Sequence, residues 1–484
     1  MRPHGRMLLA TDKNNAHLEY KIMKYSMSHL IKYGATLILL ATAITGCSQD
    51  KTMHTLSYNN DDCFWVGPYL KENPRTNIAY PDTGATYWHA GYVLPEGAVL
   101  NIKGQFPYAR YMSLNSYDMT LDENGLPKAA PVHAIEDAAI IADSGAINPF
   151  VQGAQRLSTK RNYTINLAAG VTPVNPASNT LYDNYMDQDK SLVFYRVYAV
   201  NEGRDLKGGV DLPKAQVTLK DGTKLAGTSL CETLKSDTDI VSIPSITATM
   251  YGFLRAQGNP AKLRLQGGVP YPTTRWNSAY NVEHSIKCSF LAECAGKPER
   301  KNGWYANIDN QYVATFVDRS IKPIVVTRGK IPNVPATLKN NVIFNQSQAE
   351  VRYWSMCSNE FYSQKVTQCI YDENVSINAD GKYTIVTSYT EDRPVNATKE
   401  NGVDFIEWSK RGDGYDVLGG FLQNTNDAML LVRHMLPVND FAHSIQMTKI
   451  PDDEPQVMGD YLPTSTYYTK EEFESLGNHP WKNL

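Results

Sequence analysis

The chain has 484 residues, a formal net charge of −3 at pH 7 and 20% charged residues. That near balance excludes the basic footprint of a nucleic-acid binder and the acidic excess of a solvating tail. The length calls for more than one ordinary domain, and 30 tyrosines, 26 prolines and 32 glycines point to an exported, β-rich chain rather than a helical one.

In chain order, the first signal lies within residues 1–47. Met27 to Lys32 is a short basic start, Tyr33 to Thr45 is mostly apolar, and Ile44-Thr45-Gly46-Cys47 follows. A run this short suits a signal peptide, since a spanning helix needs about 20 apolar residues. The last four residues resemble the bacterial lipobox, which implies cleavage before Cys47, diacylglycerol on its sulfur and palmitate among its acyl chains. Ser48 follows the cysteine, and by resemblance to Gram-negative lipoproteins this implies sorting to the outer membrane. Residues 1–22 read as an upstream extension, with Met23 or Met27 as a start. Residues 48–62 are polar and aperiodic, as a tether from membrane to folded domain should be.

Six cysteines remain: Cys63, Cys231, Cys288, Cys294, Cys357 and Cys369. An even number in an exported chain predicts disulfides, of which fifteen connectivities are possible. Short spacing favours Cys288–Cys294 and Cys357–Cys369, which leaves Cys63–Cys231 by elimination. No Cys-x-x-Cys pair and no histidine at ligand spacing occurs, so no metal or other cofactor is expected.

From Cys63 onwards, runs rich in Tyr, Val, Ile and Thr alternate with turns, and residues 63–228 read as a first antiparallel β-sandwich, jelly-roll-like. Its predicted strands cover Thr86 to Val93, Ala98 to Lys103, Arg110 to Tyr117, Tyr163 to Leu167, Leu192 to Val200 and Ala215 to Leu219. Asn124-Gly125 and Asp221-Gly222 are hairpin signals. Residues 229–305 form a helical and aromatic connection. A helix follows Pro244, with apolar residues at 246, 250, 253 and 254, and Gly258-Asn259-Pro260 stops it. Trp276, Tyr280 and Trp304 suggest an ordered extension packed on both modules. Residues 306–437 read as a second β-sandwich, and 438–484 as a helical tail. In that tail Asn439 or Asp440 caps a helix over Phe441 to Gln446, and Thr469-Lys470-Glu471-Glu472 is a capping box. The expected class is therefore all-β, two sandwiches with a few short helices.

Anchors recur in one order across the two modules. Tyr87-Trp88 and Tyr312 precede Gly104-Gln105-Phe106-Pro107 and Gly329-Lys330-Ile331-Pro332. Arg110-Tyr111-Met112-Ser113 matches Arg352-Tyr353-Trp354-Ser355, Tyr163-Thr164-Ile165 matches Tyr383-Thr384-Ile385, and Leu192 to Arg196 matches Met429 to Arg433. Four such matches in series predict an internal duplication.

The second half, through Arg352-Tyr353-Trp354-Ser355, Asp380-Gly381, Tyr383-Thr384-Ile385, Asp392-Arg393-Pro394, Glu407-Trp408 and Leu431 to Pro437, resembles a bacterial family of exported proteins of unknown function. The first half fits less well, with Met112 where that family has Trp. The resemblance implies a β-sandwich and export, and it supplies no activity.

No nucleophile elbow, zinc-protease helix, phosphate loop, dinucleotide fingerprint or calcium loop is present. Trp88-His89 reads foremost as a structural histidine, Ser236-Asp237-Thr238-Asp239 as a solvated loop start, and Arg411-Gly412-Asp413 as a turn. Arg110, Arg196, Arg352 and Arg433 lie within apolar strands, where a lone guanidinium is costly. They hold each sandwich by ion pairs or aromatic stacks, or else present themselves with Tyr111, Tyr353 and Trp354 to an anionic or sugar-like ligand. The expected function is an outer-membrane lipoprotein, bound to the membrane by its acyl anchor and acting as an envelope binding or structural component for a glycan or other small molecule. The alternative is an envelope hydrolase of glycans or esters with its site at the junction of the modules.

Overall fold

The computed structural model describes residues 63–121, 128–183, 190–244, 246–256, 273–291, 293–301, 303–339, 349–415 and 424–484. Cys47, the tether, the Asn124-Gly125 turn and Gly258-Asn259-Pro260 lie outside them. No helix among the described residues is long and apolar enough to cross a membrane.

The first ten strands are β1 (Val66–Tyr69), β2 (Ala85–Val93), β3 (Val99–Gln105), β4 (Ala109–Asp118), β5 (Ala130–Glu136), β6 (Asn162–Ala168), β7 (Thr180–Tyr182), β8 (Lys190–Val200), β9 (Lys214–Thr218) and β10 (Lys224–Leu225). Ten more follow: β11 (Thr273–Thr274), β12 (Asn277–Ser278), β13 (Asn310–Asp318), β14 (Ile324–Lys330), β15 (Tyr353–Asn359), β16 (Val366–Tyr371), β17 (Lys382–Ser388), β18 (Asp404–Glu407), β19 (Asp427–Met435) and β20 (Thr464–Tyr468). They form four five-stranded sheets. Two have the orders β1-β2-β8-β4-β5 and β10-β9-β3-β6-β7; the other two, β12-β13-β19-β15-β16 and β11-β20-β14-β17-β18, repeat those orders except at one edge, where β11 comes from the start of its module and β10 from the end of its own. Even the parallel exception recurs, between β6 and β7 and between β17 and β18. The protein is all-β, with two sandwiches and a few short helices.

The anchor residues have a packing reason. Gly104 of β3 lies opposite Tyr163 of β6, and Gly329 of β14 opposite Tyr383 of β17. In each pair the phenol lies across the glycine, so that an added Cβ would meet the tyrosine oxygen at 2.7 or 2.8 Å. Only glycine leaves room for that ring, as in aromatic rescue of strand glycines.

In β2, β4, β8, β15 and β19 nearly every residue is buried, because each of these strands faces a core on both sides. One face of β2, β4 and β8 contributes Trp88, Met112, Leu114, Val193 and Val197 to the first sandwich core, with Leu100, Ile102, Ile165 and Val217 from the partner sheet. The second sandwich core is built likewise around Val313, Trp354, Leu430, Ile385 and Trp408. The remaining faces meet each other. Tyr111, Tyr117, Phe194 and Tyr198 of the first module pack with Tyr305, Tyr353 and Met435, and the Tyr198 and Tyr353 rings make an edge contact at 5.3 Å.

Two exchanged ion pairs lock this middle layer. Arg110 leaves β4 to pair with Asp372 and Glu373, just past β16, while its Nε donates to Thr337 Oγ1 at 2.9 Å. Asp372 also accepts from the backbone N–H of Trp354, at 3.0 Å. Reciprocally, Arg352 pairs with Asp137, just past β5, at 2.7 Å, and Asp137 accepts from Met112 N at 2.9 Å. Each carboxylate thus ties the other module's arginine to the backbone of its own Arg-Tyr-x-Ser strand. These arginines do not hold each sandwich, as the sequence suggested; they hold one sandwich to the other.

The disulfides are Cys63–Cys231, Cys288–Cys294 and Cys357–Cys369. The tail differs from its expected helical character. Thr464–Tyr468 forms β20, which lies between β11 and β14, because Ser465 and Tyr467 alternate inwards against the second core. Phe441 to Gln446 forms no α-helix; a single 3-10 turn, Ile445–Met447, overlaps its end. The Thr469 capping box is present and opens the helix Lys470–Glu474. The predicted helix after Pro244 covers Ala248–Ala256 and buries Tyr251 and Leu254. The extension supplies β11 and β12 to the two sheets of the second module and packs Trp304 on the middle layer.

Breaking one exchanged pair strands a buried charge, so Asp372→Asn or Arg352→Met should lower stability by about 3–5 kcal/mol. Because the pairs cross between modules, calorimetry of either variant should show one cooperative transition moved downwards as a whole. Two transitions, with only one displaced, would contradict the exchange.

Candidate functional site

Of the seven candidate ligand-binding residues, five are taken up by structure. Arg110 and Arg352 belong to the exchanged pairs, Tyr111 and Tyr353 are fully buried in the middle layer, and Trp354 lies in the second core against Tyr383. Arg196 on β8 and Arg433 on β19, although 3% and 2% exposed, border one cavity of about 60 Å³ between the modules.

The two arginines have matched surroundings. Arg196 donates through Nη2 to Tyr305 O, and Arg433 through Nη2 to Tyr80 O, both at 2.6 Å. Tyr305 and Tyr80 both adopt left-handed backbone, with φ of 53° and 51°, which turns each carbonyl towards its arginine at some cost in strain. Two residues after Tyr80 comes Asp82, and two after Tyr305 comes Asn307. Asp82 Oδ1 accepts from Tyr353 Oη at 3.0 Å and from Gly84 N at 2.8 Å. Asn307 interacts with Tyr111 Oη at 3.1–3.3 Å and accepts from Asp309 N at 3.2 Å.

The match fails in charge. Asp82 lies 3.4 Å from Arg433 and gives it a counter-ion, whereas the corresponding Asn307 is neutral. Around Arg196 are Phe194, Tyr117 and Tyr87, with ring centroids 5.0, 5.6 and 5.7 Å from the guanidinium carbon. No carboxylate hydrogen-bonds to Arg196 among the described residues, and its Nη1 has no hydrogen-bond partner there. Asp309 acts on it only at longer range; its carboxyl accepts from Tyr111 Oη at 2.5 Å, and burial pushes its pKa up to about 6. Burial likewise raises Tyr305 and Tyr312 to about 12, so these phenols stay protonated.

A larger cavity of about 230 Å³ adjoins the first and shares Ala79, Tyr80, Ala306 and Tyr312 with it. Its floor is the outward face of β13 and β19, with Ala314, Phe316, Met429 and Leu431, and its wall includes Val282 and Ile286 of the helix Val282–Leu291. No carboxylate lines it among the described residues, and His284 is already engaged through Nε2 with Cys294 O at 3.1 Å. A further depression of about 280 Å³ on the outer sheet of the second module has its cations occupied, Arg328 with Asp380 and Leu484 O, and Lys382 with Asp460.

The remaining motifs have structural roles. His89 exchanges a hydrogen bond with Tyr69 Oη at 2.9 Å. Asp237 pairs with Lys190. Arg411-Gly412-Asp413 forms a turn whose Asp413 is buried and accepts from Tyr251 Oη at 2.7 Å. Among the described residues the one group with metal-ligand geometry is Asp82, Cys357 and Cys369, and its two sulfurs are joined to each other.

No family model and no curated protein matches the chain. The solved structures that resemble it distantly include two of known source. One is an uncharacterized protein from Burkholderia cenocepacia, with TM-score 0.41, 10% identity and 81% of each chain covered. The other is a protein from Vibrio parahaemolyticus, with TM-score 0.36, 12% identity, and 81% of this chain and 90% of that one covered.

Two buried histidines make the fold that holds these cavities sensitive to acid. Burial lowers His434 to about 3 and His89 to about 4, from an ordinary 6.5. In the native state both stay neutral, while the unfolded chain takes up their protons below pH 6.5. Stability is therefore full above that pH and is lost on acidification, by about 1.4 kcal/mol per pH unit for each histidine. His434→Asn, whose amide oxygen can replace Nδ1 as acceptor for Ile445 N, should reduce that slope in urea titrations between pH 4 and 6.5. An unchanged slope would remove His434 from the account.

Proposed function

We propose that the chain is an exported lipoprotein, held at the outer membrane by an acyl anchor on Cys47, whose second β-sandwich binds a small, largely apolar ligand. The observation that carries the binding role is the cavity of about 230 Å³ floored by Ala314, Phe316, Met429 and Leu431. Concave, mainly apolar cavities with a few polar groups at one end are the usual form of small-molecule sites. The lipobox supports the address. A glycan finds little support, because Tyr111, Tyr353 and Trp354, the aromatic rings that would stack on a sugar, are closed off in cores. Hydrolysis finds little either, since the carboxylate pair of a glycosidase is missing from the described lining.

The neutral probe N-phenyl-1-naphthylamine should bind the mature chain saturably, with one site per molecule. Ala314→Phe, which fills the floor, should reduce that binding at least about tenfold while leaving the melting temperature near that of the parent. Absence of saturable binding to the parent would rule out the role. For the anchor, Cys47→Ser should move the protein from membrane pellet to soluble fraction. An unacylated amino-terminal peptide in mass spectra of the parent would disprove it.

A further inference from the structure

Resting on that cavity as a ligand site, we infer that the smaller chamber at Arg196 seats the anionic end of the ligand, which is then a monocarboxylate with an apolar body. The argument starts from the paired surroundings of Arg196 and Arg433. Both donate to the carbonyl of a left-handed tyrosine at 2.6 Å, and both border the same space. Asp82 balances Arg433, but Asn307 stands where a second aspartate would balance Arg196.

A guanidinium that is 3% exposed and lacks a bonded carboxylate is expensive. The rings of Phe194, Tyr117 and Tyr87 offset part of that cost through their negative faces. They leave Nη1 free of any hydrogen bond among the described residues. A positive charge that Asp309 meets only at longer range calls for one negative charge at bonding distance, and a planar carboxylate suits a guanidinium edge. A dianion such as phosphate would bring a second charge that nothing here balances, since Arg433 is already paired.

Position fixes the rest of the ligand. The two chambers share Tyr80, Ala306 and Tyr312, so a head at Arg196 has its tail directed over Tyr312 towards Ala314, Phe316 and Leu431. The phenol of Tyr312 is a neutral donor at this junction, able to hydrogen-bond a carboxylate oxygen without adding charge, while Tyr80 and Tyr305 already donate to Phe361 O and Ser242 O. The rest of the lining, with Ala314, Phe316, Met429 and Leu431, carries no such demand and accepts an alkyl or aryl body.

Calorimetric titration of the mature chain with octanoate and with 1-octanol tests the assignment. Octanoate should bind at least about tenfold more tightly. Asn307→Asp, which supplies Arg196 with its own counter-ion, should bring the ratio to within about threefold while the melting temperature stays level or rises. Arg196→Gln should do the same where it folds. Equal affinity for the two probes in the parent, or a preference that survives Asn307→Asp, overturns the carboxylate seat and leaves the apolar cavity standing. Failure of both probes to bind overturns the cavity as well.

Discussion

The exchange of arginines between modules is the constraint on which the rest of the molecule depends. Arg110 and Arg352 are buried, and each finds its carboxylate on the opposite sandwich. The Coulombic gain offsets a desolvation cost of several kcal/mol per ion only when the geometry is complete. Asp137 and Asp372 complete it by accepting a backbone N–H from the strand that carries their own module's arginine. Neither sandwich could satisfy these groups alone, so the two fold as one body.

That coupling explains why the middle layer is so rich in tyrosine. A layer covered on both sides must bury area, yet it also has to serve guanidinium and carboxylate groups within it. Tyrosine does both, packing a ring and extending a hydroxyl. Tyr353 reaches Asp82, Tyr111 reaches Asp309, and Tyr117 donates to Ala306 O. Where the layer widens, its rings Tyr87, Phe194, Tyr198 and Tyr305 line the smaller chamber, so that part of the candidate site is a local opening in the interface rather than an addition to it.

Much of the architecture was legible in the sequence. Gly104 and Gly329, with Tyr163 and Tyr383, were recognisable as repeated anchors because a ring lying across a glycine permits few alternatives. Other features were hidden. β20 escaped notice because Thr464-Ser465-Thr466-Tyr467-Tyr468 is short and abuts a strong helix signal at Thr469. The arginines were visible but their partners were not, since Asp137 and Asp372 follow their strands at unequal separations, 25 and 18 residues from the backbone groups they bind. Asn307 and Asp82 lie upstream of the first matched anchors, in turns without strand periodicity. Their correspondence emerges only from Tyr305 and Tyr80 and the carbonyls these tyrosines present.

Those two positions bear on how a duplicated protein acquires direction. A chamber built from two equal arms would offer a ligand two equivalent seats, and occupancy could not distinguish one end from the other. A single exchange of carboxylate for amide between Asp82 and Asn307 leaves the scaffold repeated but gives the chamber a polarity. The second arm keeps its internal salt bridge, while the first leaves Nη1 of Arg196 without a hydrogen bond among the described residues.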